Sequence, residues 1–370
     1  MLDTAPMRAE SLSFQAGEPA GWDPELDDTL LCRQVRDETH DVKTFVLEAP
    51  SPRLFRFQPG QFLTFEFEID GVPVSRCYTI ASSPTRPHLV SITVKRVPGG
   101  EVTPWLHRMV GPGKRLRVAG PMGSFTCTGH VAPGYLFLSG GSGITPLMSM
   151  ARFHDDMASG ADIVFVHSAR SPADIIFRSE LHLMAEHHPG FRFVPVCETD
   201  SLRDPWHGLR GRLSPAMLAV VAPDFREREV FTCGPAGYMA VVRAMLSEAG
   251  FDMARYHEES FDFAALAAAE PDAAAVAHAA VQPASFRIEF ARSKTVLECA
   301  PGASVLEAAR AKGMRLPSSC TRGVCGTCKS RILSGRVDMQ HGGGIRQREI
   351  DQGMALLCCS RPLTDLVIDR

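Results

Sequence analysis

Three kinds of hydrophobic pattern follow one another along the chain. Between residues 28 and 128, short segments alternate apolar and polar positions: 30–35, 44–48, 62–69, 77–80, 89–96 and 115–118. Pro or Gly bounds them, as at Pro59-Gly60, Gly71, Pro84, Pro98-Gly99-Gly100 and Gly111-Pro112-Gly113. A period of two with that punctuation predicts a small antiparallel β-barrel. One helical stretch, 103–110, interrupts it. Between 129 and 263 the period changes. Apolar strands at 135–139, 162–168, 191–198 and 229–233 alternate with helical stretches at 146–157, 174–188, 213–221 and 236–248. That alternation predicts a doubly wound α/β domain on a parallel sheet of about five strands. Residues 264–284 are mostly alanine broken by Pro271 and Pro283, which predicts a flexible tether spanning roughly 25 Å. In 285–370, a hairpin (286–290 and 294–298), a helix (305–312) and strands at 329–334 and 366–368 predict a small α+β domain.

Composition adds limits. A chain of 370 residues with 45% hydrophobic and 22% charged content is an ordinary globular protein of two or three domains. The first 27 residues mix acidic residues, Pro and Ser without an apolar run, so no signal peptide is expected. No stretch approaches the roughly 18 apolar residues of a membrane span, so no membrane partner is expected. Eleven cysteines in such a chain point to a reducing cytoplasm, with some of them holding metal. Charge is uneven: from Pro283 onward 14 Lys/Arg face 8 Asp/Glu (+6), whereas the rest carries 25 against 34 (−9). Opposite charge favours docking between modules, or an acidic partner for the basic one. No basic run is interleaved with aromatics, which argues against nucleic acid.

The clearest chemistry lies near the end of the chain. Cys320-Thr-Arg-Gly-Val-Cys325-Gly-Thr-Cys328 has the C-x4-C-x2-C spacing of a plant-type [2Fe–2S] cluster, and Cys358-Cys359 follows thirty residues later. Each of two irons needs two thiolates besides the bridging sulfides. Small residues (Gly323, Gly326, Thr327) let the loop fold around the cluster and aim N–H groups at sulfur. The competing assignment is zinc, but zinc knuckles usually pair one C-x2-C with another.

Upstream, Arg76-Cys77-Tyr78-Thr79 sits on a predicted strand, where Arg76 and Tyr78 share one face and Thr79 the other. A guanidinium grips a diphosphate in bidentate fashion, and a phenol offers a flat surface to a flavin ring. Gly99-Gly100 opens a short helix whose free N–H groups at Val102 and Thr103 suit a phosphate. Gly140-Gly141-Ser142-Gly143-Ile144-Thr145-Pro146 joins a strand to a helix, with Thr145 the expected N-cap and Pro146 the first helical residue. Ligands of such sheets bind beyond the strands' carboxyl ends. There the sequence places residues 140–145, Arg170, Glu198 and Cys233-Gly234-Pro235 around one crevice.

Together these motifs resemble the ferredoxin-reductase family of flavoproteins, here with an appended β-grasp domain similar to plant-type ferredoxins. The resemblance covers the whole chain after the first 27 residues. It implies that Arg76, Tyr78 and Thr79 contact flavin while Gly100, Val102 and Thr103 bind its pyrophosphate, and FAD is favoured over FMN. It implies that Gly140, Gly141, Gly143 and Thr145 hold the pyrophosphate of NAD(P)H, with Cys233, Gly234 and Pro235 beside the nicotinamide. Tyr78, Thr79 and Cys233 are then next to the reacting atoms, Cys233 as a positioning residue, and Phe261 shields the flavin ring. Similar proteins with an appended ferredoxin domain favour NADH, although Arg170 and Ser171 also suit a 2′-phosphate. Cluster ligands by this resemblance are Cys320, Cys325, Cys328 and Cys358, the last because it stands four residues before Pro362.

The run Val337-Asp-Met-Gln-His-Gly-Gly-Gly-Ile345, then Arg346-Gln-Arg348, resembles the corresponding loop of reductases serving Rieske oxygenases that demethylate glycine betaine or proline betaine. More distantly it is similar to reductases of hybrid-cluster protein. The expected activity is NADH oxidation through FAD and the cluster to a Rieske-type oxygenase. Arg346 and Arg348 are expected to face the acceptor. The rival of another class is a zinc-stapled interaction module on a degenerate flavin fold.

Overall fold

The computed structural model describes residues 19–23, 26–201, 204–260, 285–314, 316, 323, 326, 328–342 and 344–370. The expected tether 264–284, Phe261, Cys320 and Cys325 lie outside the described residues.

Strands β1 (Thr29–Thr39), β2 (Val42–Glu48), β3 (Phe62–Ile69), β4 (Val72–Thr79), β5 (Val90–Lys95) and β6 (Arg115–Met122) form one antiparallel sheet in the order β4-β3-β6-β1-β2-β5. A bridge between Ile80 and Ile92 joins its two ends and closes the barrel. Alternation explains the closure, since Leu30, Phe45, Leu47, Leu63, Phe65, Ile92 and Val118 point into one dry core. Helix α1 (Val102–Met109) sends Val102 and Leu106 into the same core. The lead-in is anchored by Trp22, which is buried against Phe55 with ring centroids 5.2 Å apart.

The second unit is a parallel sheet of six strands. β7 (Gly134–Gly140), β8 (Asp162–Ala169), β9 (Phe191–Cys197), β10 (Leu209–Arg210), β11 (Glu229–Gly234) and β12 (Tyr256–Ser260) run in the order β10-β9-β8-β7-β11-β12. Pairing between every neighbour is parallel. Apolar side chains cover both faces, which is why β7, β8 and β11 read as nearly unbroken hydrophobic runs. Helix α2 (Ile144–Asp156) follows β7. Helix α3 (Arg178–His187) begins later than the sequence pattern predicts. Asp174 is bonded to Ser171 Oγ (2.6 Å) and Arg170 (2.9 Å), so it closes a 3-10 turn at Pro172–Asp174 instead of entering the helix. Phe177 then takes a left-handed conformation (φ 58°) with its ring buried.

The last unit is a β-grasp. The hairpin Phe286–Phe290 and Thr295–Cys299 joins strands Leu366–Ile368, Lys329–Ser334 and Met354–Leu356 in one five-stranded sheet, with Phe286–Phe290 and Leu366–Ile368 parallel. The helix Val305–Ala311 crosses its core, started by a capping box between Ser304 and Glu307. Among the described residues, no helix is long and apolar enough to cross a membrane.

Candidate functional site

The barrel motif lies on β4, beside β3, with Phe65 opposite Arg76, Leu63 opposite Tyr78 and Phe62 opposite Thr79. Tyr78 packs edge-on to Phe65 (5.7 Å). Burial pushes its phenol up against the opposing influence of Arg76, so it stays neutral. Thr79 is buried, yet its Oγ1 has no hydrogen-bond partner among the described residues. An unpaired buried hydroxyl costs free energy, and a flavin ring atom would satisfy it. Gly99 has φ +71° and turns the chain into α1. The Thr103 hydroxyl accepts from Val97 N–H (2.8 Å) and Gly100 N–H donates back to Val97 O (3.0 Å), so both brace this turn, and the backbone donors of Val102 and Thr103 at the start of α1 are the ones offered to a ligand. These residues fit a flavin with a pyrophosphate.

The Gly-rich loop is built around its neighbours. Gly141–Gly143 form a 3-10 turn, and α2 starts at Ile144 with Gly143 as its N-cap residue. Thr145 is therefore inside the first turn and not the cap, and its Oγ1 donates to Ser142 O (3.2 Å). The reason is space. A Cβ at Gly143 would lie 2.3 Å from Cys233 O and 2.5 Å from Gly234 N, so the loop passes directly under the end of β11. Gly140 and Gly234 both pack on the Tyr238 ring. Beyond the carboxyl ends lies a cleft of about 400 Å³. Gly140, Gly141, Arg170, Glu198, Pro235 and Tyr238 line it. Its shape and its glycine floor fit a dinucleotide.

Cys233 is fully buried beside the cleft, with Ser139 and Glu259 next to it on the flanking strands. Burial, then the nearby Glu259 charge, raises its thiol well above the ordinary value, so it is a neutral thiol and no nucleophile. One strand away His167 donates to or accepts from Ser139 Oγ (2.8 Å), and burial lowers its pKa to about 3, leaving a neutral ring under the site.

Sequence reasoning missed the group that holds these two regions together. Arg152 on α2 is only 5% exposed. It donates to Ala81 O, two residues past Thr79, and makes a bidentate pair with Glu180 (2.7 Å each). Its guanidinium also stacks on Phe177 at 4.7 Å. Ser149 Oγ adds a bond to Ser82 O (2.8 Å). Helix α2 thus joins the Gly-rich loop at its start to the Thr79 strand end along its length. Ser82-Ser83-Pro84 was the only sequence signal, because a helical Arg ordinarily reads as surface.

In the β-grasp unit, Gly323 N–H donates to Cys358 Sγ (3.3 Å). Added Cβ atoms would meet Cys359 Sγ at 2.7 Å from Gly323, and Gly344 O at 2.8 Å from Gly326. Both glycines have positive φ (69° and 73°). Cys328 is buried, while Cys359 Sγ is within 3.6 Å of Leu356 O. An N–H aimed at one of two adjacent sulfurs fits Cys358 as a cluster thiolate.

One expectation is corrected. Arg346 does not face an outside acceptor, and Arg348, although still partly exposed, is held against the barrel. Arg346 is 5% exposed and donates to Val118 O and Asp28 (3.4 Å) of the barrel, and Arg348 pairs with Asp28 at 2.9 Å. The barrel encloses the Arg346 guanidinium, and the Asp28 carboxylate offsets the cost of burying its charge.

Family models match three successive segments of the chain: an oxidoreductase FAD-binding domain at 31–127, an oxidoreductase NAD-binding domain at 137–244 and a 2Fe-2S iron-sulfur cluster binding domain at 288–363. The last match displaces the zinc assignment. The glycine betaine monooxygenase reductase subunit of Pseudomonas aeruginosa is 47% identical, over 91% of this chain and 94% of that one. The stachydrine N-demethylase reductase subunit of Rhizobium meliloti is 40% identical, over 92% and 96%. Among solved structures, phthalate dioxygenase reductase, described as a modular structure for electron transfer from pyridine nucleotides to [2Fe-2S], matches with a TM-score of 0.55 at 25% identity. That match covers 92% of this chain and 97% of that one.

Proposed function

The chain belongs to the family of FAD- and NAD-binding oxidoreductases with a C-terminal [2Fe–2S] domain that serve oxygenases, and from that premise we propose its partner and residue roles. It is the reductase subunit of a Rieske-type oxygenase that N-demethylates a quaternary amine such as glycine betaine or proline betaine. The observation that carries this is similarity at 40–47% identity across all three modules to reductase subunits of such demethylases. The modules are residues 28–128, 129–263 and 285–370, joined before the last by 264–284.

Per turnover, NADH and two oxidised acceptors give NAD⁺, a proton and two reduced acceptors. FAD, when bound, would supply the change from two-electron to one-electron transfer, and a [2Fe–2S] cluster would supply the one-electron exit. The protein supplies position. Arg76 and the N–H groups of Val102 and Thr103, presented by the turn at Gly100, would hold the flavin's phosphates, while Tyr78 and the unpaired Thr79 hydroxyl would contact its ring. Gly140, Gly141, Gly143 and Thr145 hold the pyrophosphate of NADH, while Cys233, Gly234 and Pro235 pack against the nicotinamide. The neutral Cys233 thiol adds no charge where hydride moves. Phe261, by the family resemblance, is the residue that would shield the flavin ring. Cys320, Cys325, Cys328 and Cys358 bind the cluster.

NADH is the preferred donor. Arg170, the cation at the end of β8 that would take a 2′-phosphate, is paired with Asp174 (2.9 Å) and Asp41 (3.5 Å). The test is reconstitution with a betaine-type Rieske oxygenase. NADH consumption matched by formaldehyde release from glycine betaine or proline betaine supports the assignment. NADH consumption that no quaternary amine couples to product refutes it.

A further inference from the structure

We infer that a network of partly buried ion pairs positions the ferredoxin-like module on the flavin barrel and thereby sets the rate of electron transfer between them; this rests on the relay proposed above. Lys329 follows Cys328 directly. Its ammonium reaches Glu66 on β3 (3.1 Å) and Glu349 (2.8 Å) while remaining only 15% exposed. Glu66 pairs across the sheet with Ser75, the residue before Arg76. One ion pair thus spans from the neighbour of a cluster thiolate to the strand paired with the one that carries the flavin motif.

A second set of contacts fixes the orientation. Oδ2 of Asp28 receives Arg348 (2.9 Å), Arg117 (3.3 Å) and Arg346 (3.4 Å). Burial opposes the Asp28 charge, but Arg117, Arg346 and Arg348 outweigh it and hold the carboxyl below its ordinary value. Arg346 also donates to Val118 O on β6, and Glu349 accepts from Arg346 N–H (2.9 Å), which ties both sets into one network. Lys329, Arg346 and Arg348 come from the basic C-terminal part, and Arg117, Asp28 and Glu66 come from the acidic remainder. Rigid seating shortens the electron's path, and a 1 Å error in such placement is costly. The same network removes Arg346 from the surface offered to an acceptor and ties down the half-exposed Arg348.

The variants are Glu66→Gln and Asp28→Asn in the full chain, both outside the flavin, nicotinamide and cluster ligands. Three quantities are read across a salt series: the rate of cluster reduction after NADH mixing, NADH-to-ferricyanide turnover, and the radius of gyration by small-angle X-ray scattering. In the native chain, cluster reduction slows and the particle expands only as salt approaches about 1 M, where the Debye length falls to about 3 Å, because partly buried pairs are screened less than exposed ones. In each variant the docking equilibrium shifts roughly tenfold toward the open form, so both changes begin at lower salt. Ferricyanide turnover stays native, and Asp28→Glu restores part of the salt resistance. Variants with native scattering and native salt dependence overturn the inference. A native chain whose cluster NADH never reduces refutes the relay itself, and the inference falls with it, whereas a relay that works identically in the variants refutes the positioning network alone.

Discussion

Gly143 offers the sharpest test of how the nicotinamide site is assembled. An added Cβ there would lie 2.3 Å from Cys233 O, 2.4 Å from Cys233 C and 2.5 Å from Gly234 N. Carbon in ordinary contact sits roughly 3.5 Å from its neighbours, so the loop or the end of β11 must move by about 1 Å. The obstructing atoms are backbone, which has no rotamer with which to yield. Overpacking of this kind costs about 1–3 kcal/mol of stability. A 1 Å displacement of a positioning loop costs up to about 100-fold in rate. Gly143→Ala is therefore predicted to lower kcat/KM for NADH by roughly 10–100-fold while flavin content and reduction by dithionite stay native. The assay is anaerobic stopped-flow mixing with NADH, following the flavin band over a range of NADH concentrations. Gly141→Ala is the control. Its φ of +53° strains an alanine, but no atom lies within 4 Å of the new Cβ, so the loss should be several-fold smaller. Native kcat/KM for Gly143→Ala, or equal losses at both positions, would refute the close passage of loop and strand.

Cys358→Ser should abolish the cluster's visible absorption while Cys359→Ser retains it; the reverse pattern would assign the fourth ligand to Cys359. Asp174→Asn leaves Arg170 only its longer contact with Asp41 (3.5 Å) and removes a charge that repels a 2′-phosphate, so kcat/KM for NADPH relative to NADH should rise several-fold, up to about tenfold, measured by steady-state turnover with ferricyanide. Glu180 is held below its ordinary value of 4.5; burial opposes this, but the Arg152 hydrogen bonds and charge prevail. Its contribution to stability is therefore complete above pH 4.5 and is lost as pH falls through the lower folded value. Acid unfolding followed by flavin release should be shifted to higher pH in Glu180→Gln, and an unchanged acid limb would contradict the assignment. Arg228 is 3% exposed and bonds Tyr135 O (3.2 Å) and Asp162 O (3.0 Å) besides pairing with Asp162 and Asp224. Arg228→Ala leaves those carbonyls short of a donor and should cost about 2–4 kcal/mol in urea unfolding.

Much of this architecture is legible in the sequence because local chemistry and fold agree. The barrel strands announce themselves by alternation, and β7, β8 and β11 by continuous apolar runs. The Gly-x-Gly loop and Cys233-Gly-Pro mark the two sides of one cleft. What is not legible depends on contacts between distant segments. β10 has two residues and shows no period, so the six-stranded sheet reads as five. Thr145 has the right chemistry for an N-cap, but crowding by Cys233 decides where α2 begins. Asp174 belongs to the helical pattern until Ser171 and Arg170 claim its carboxylate. Arg152, Arg346 and Arg348 look like surface cations because a guanidinium carries no mark of what will be brought to it. Only the assembled modules supply Ala81 O and Glu180 for the first, and Asp28 for the other two.

The central claim is that electrons from NADH leave this chain for the Rieske centre of a quaternary-amine demethylase. The most direct measurement is anaerobic: reduce the protein with NADH, mix it separately with oxidised betaine-type Rieske oxygenase and oxidised hybrid-cluster protein, and follow the visible bands. Fast reoxidation by the oxygenase alone is the predicted result. Reoxidation by hybrid-cluster protein alone would contradict the acceptor assignment, and failure of NADH to bleach the protein would contradict the relay from its first step.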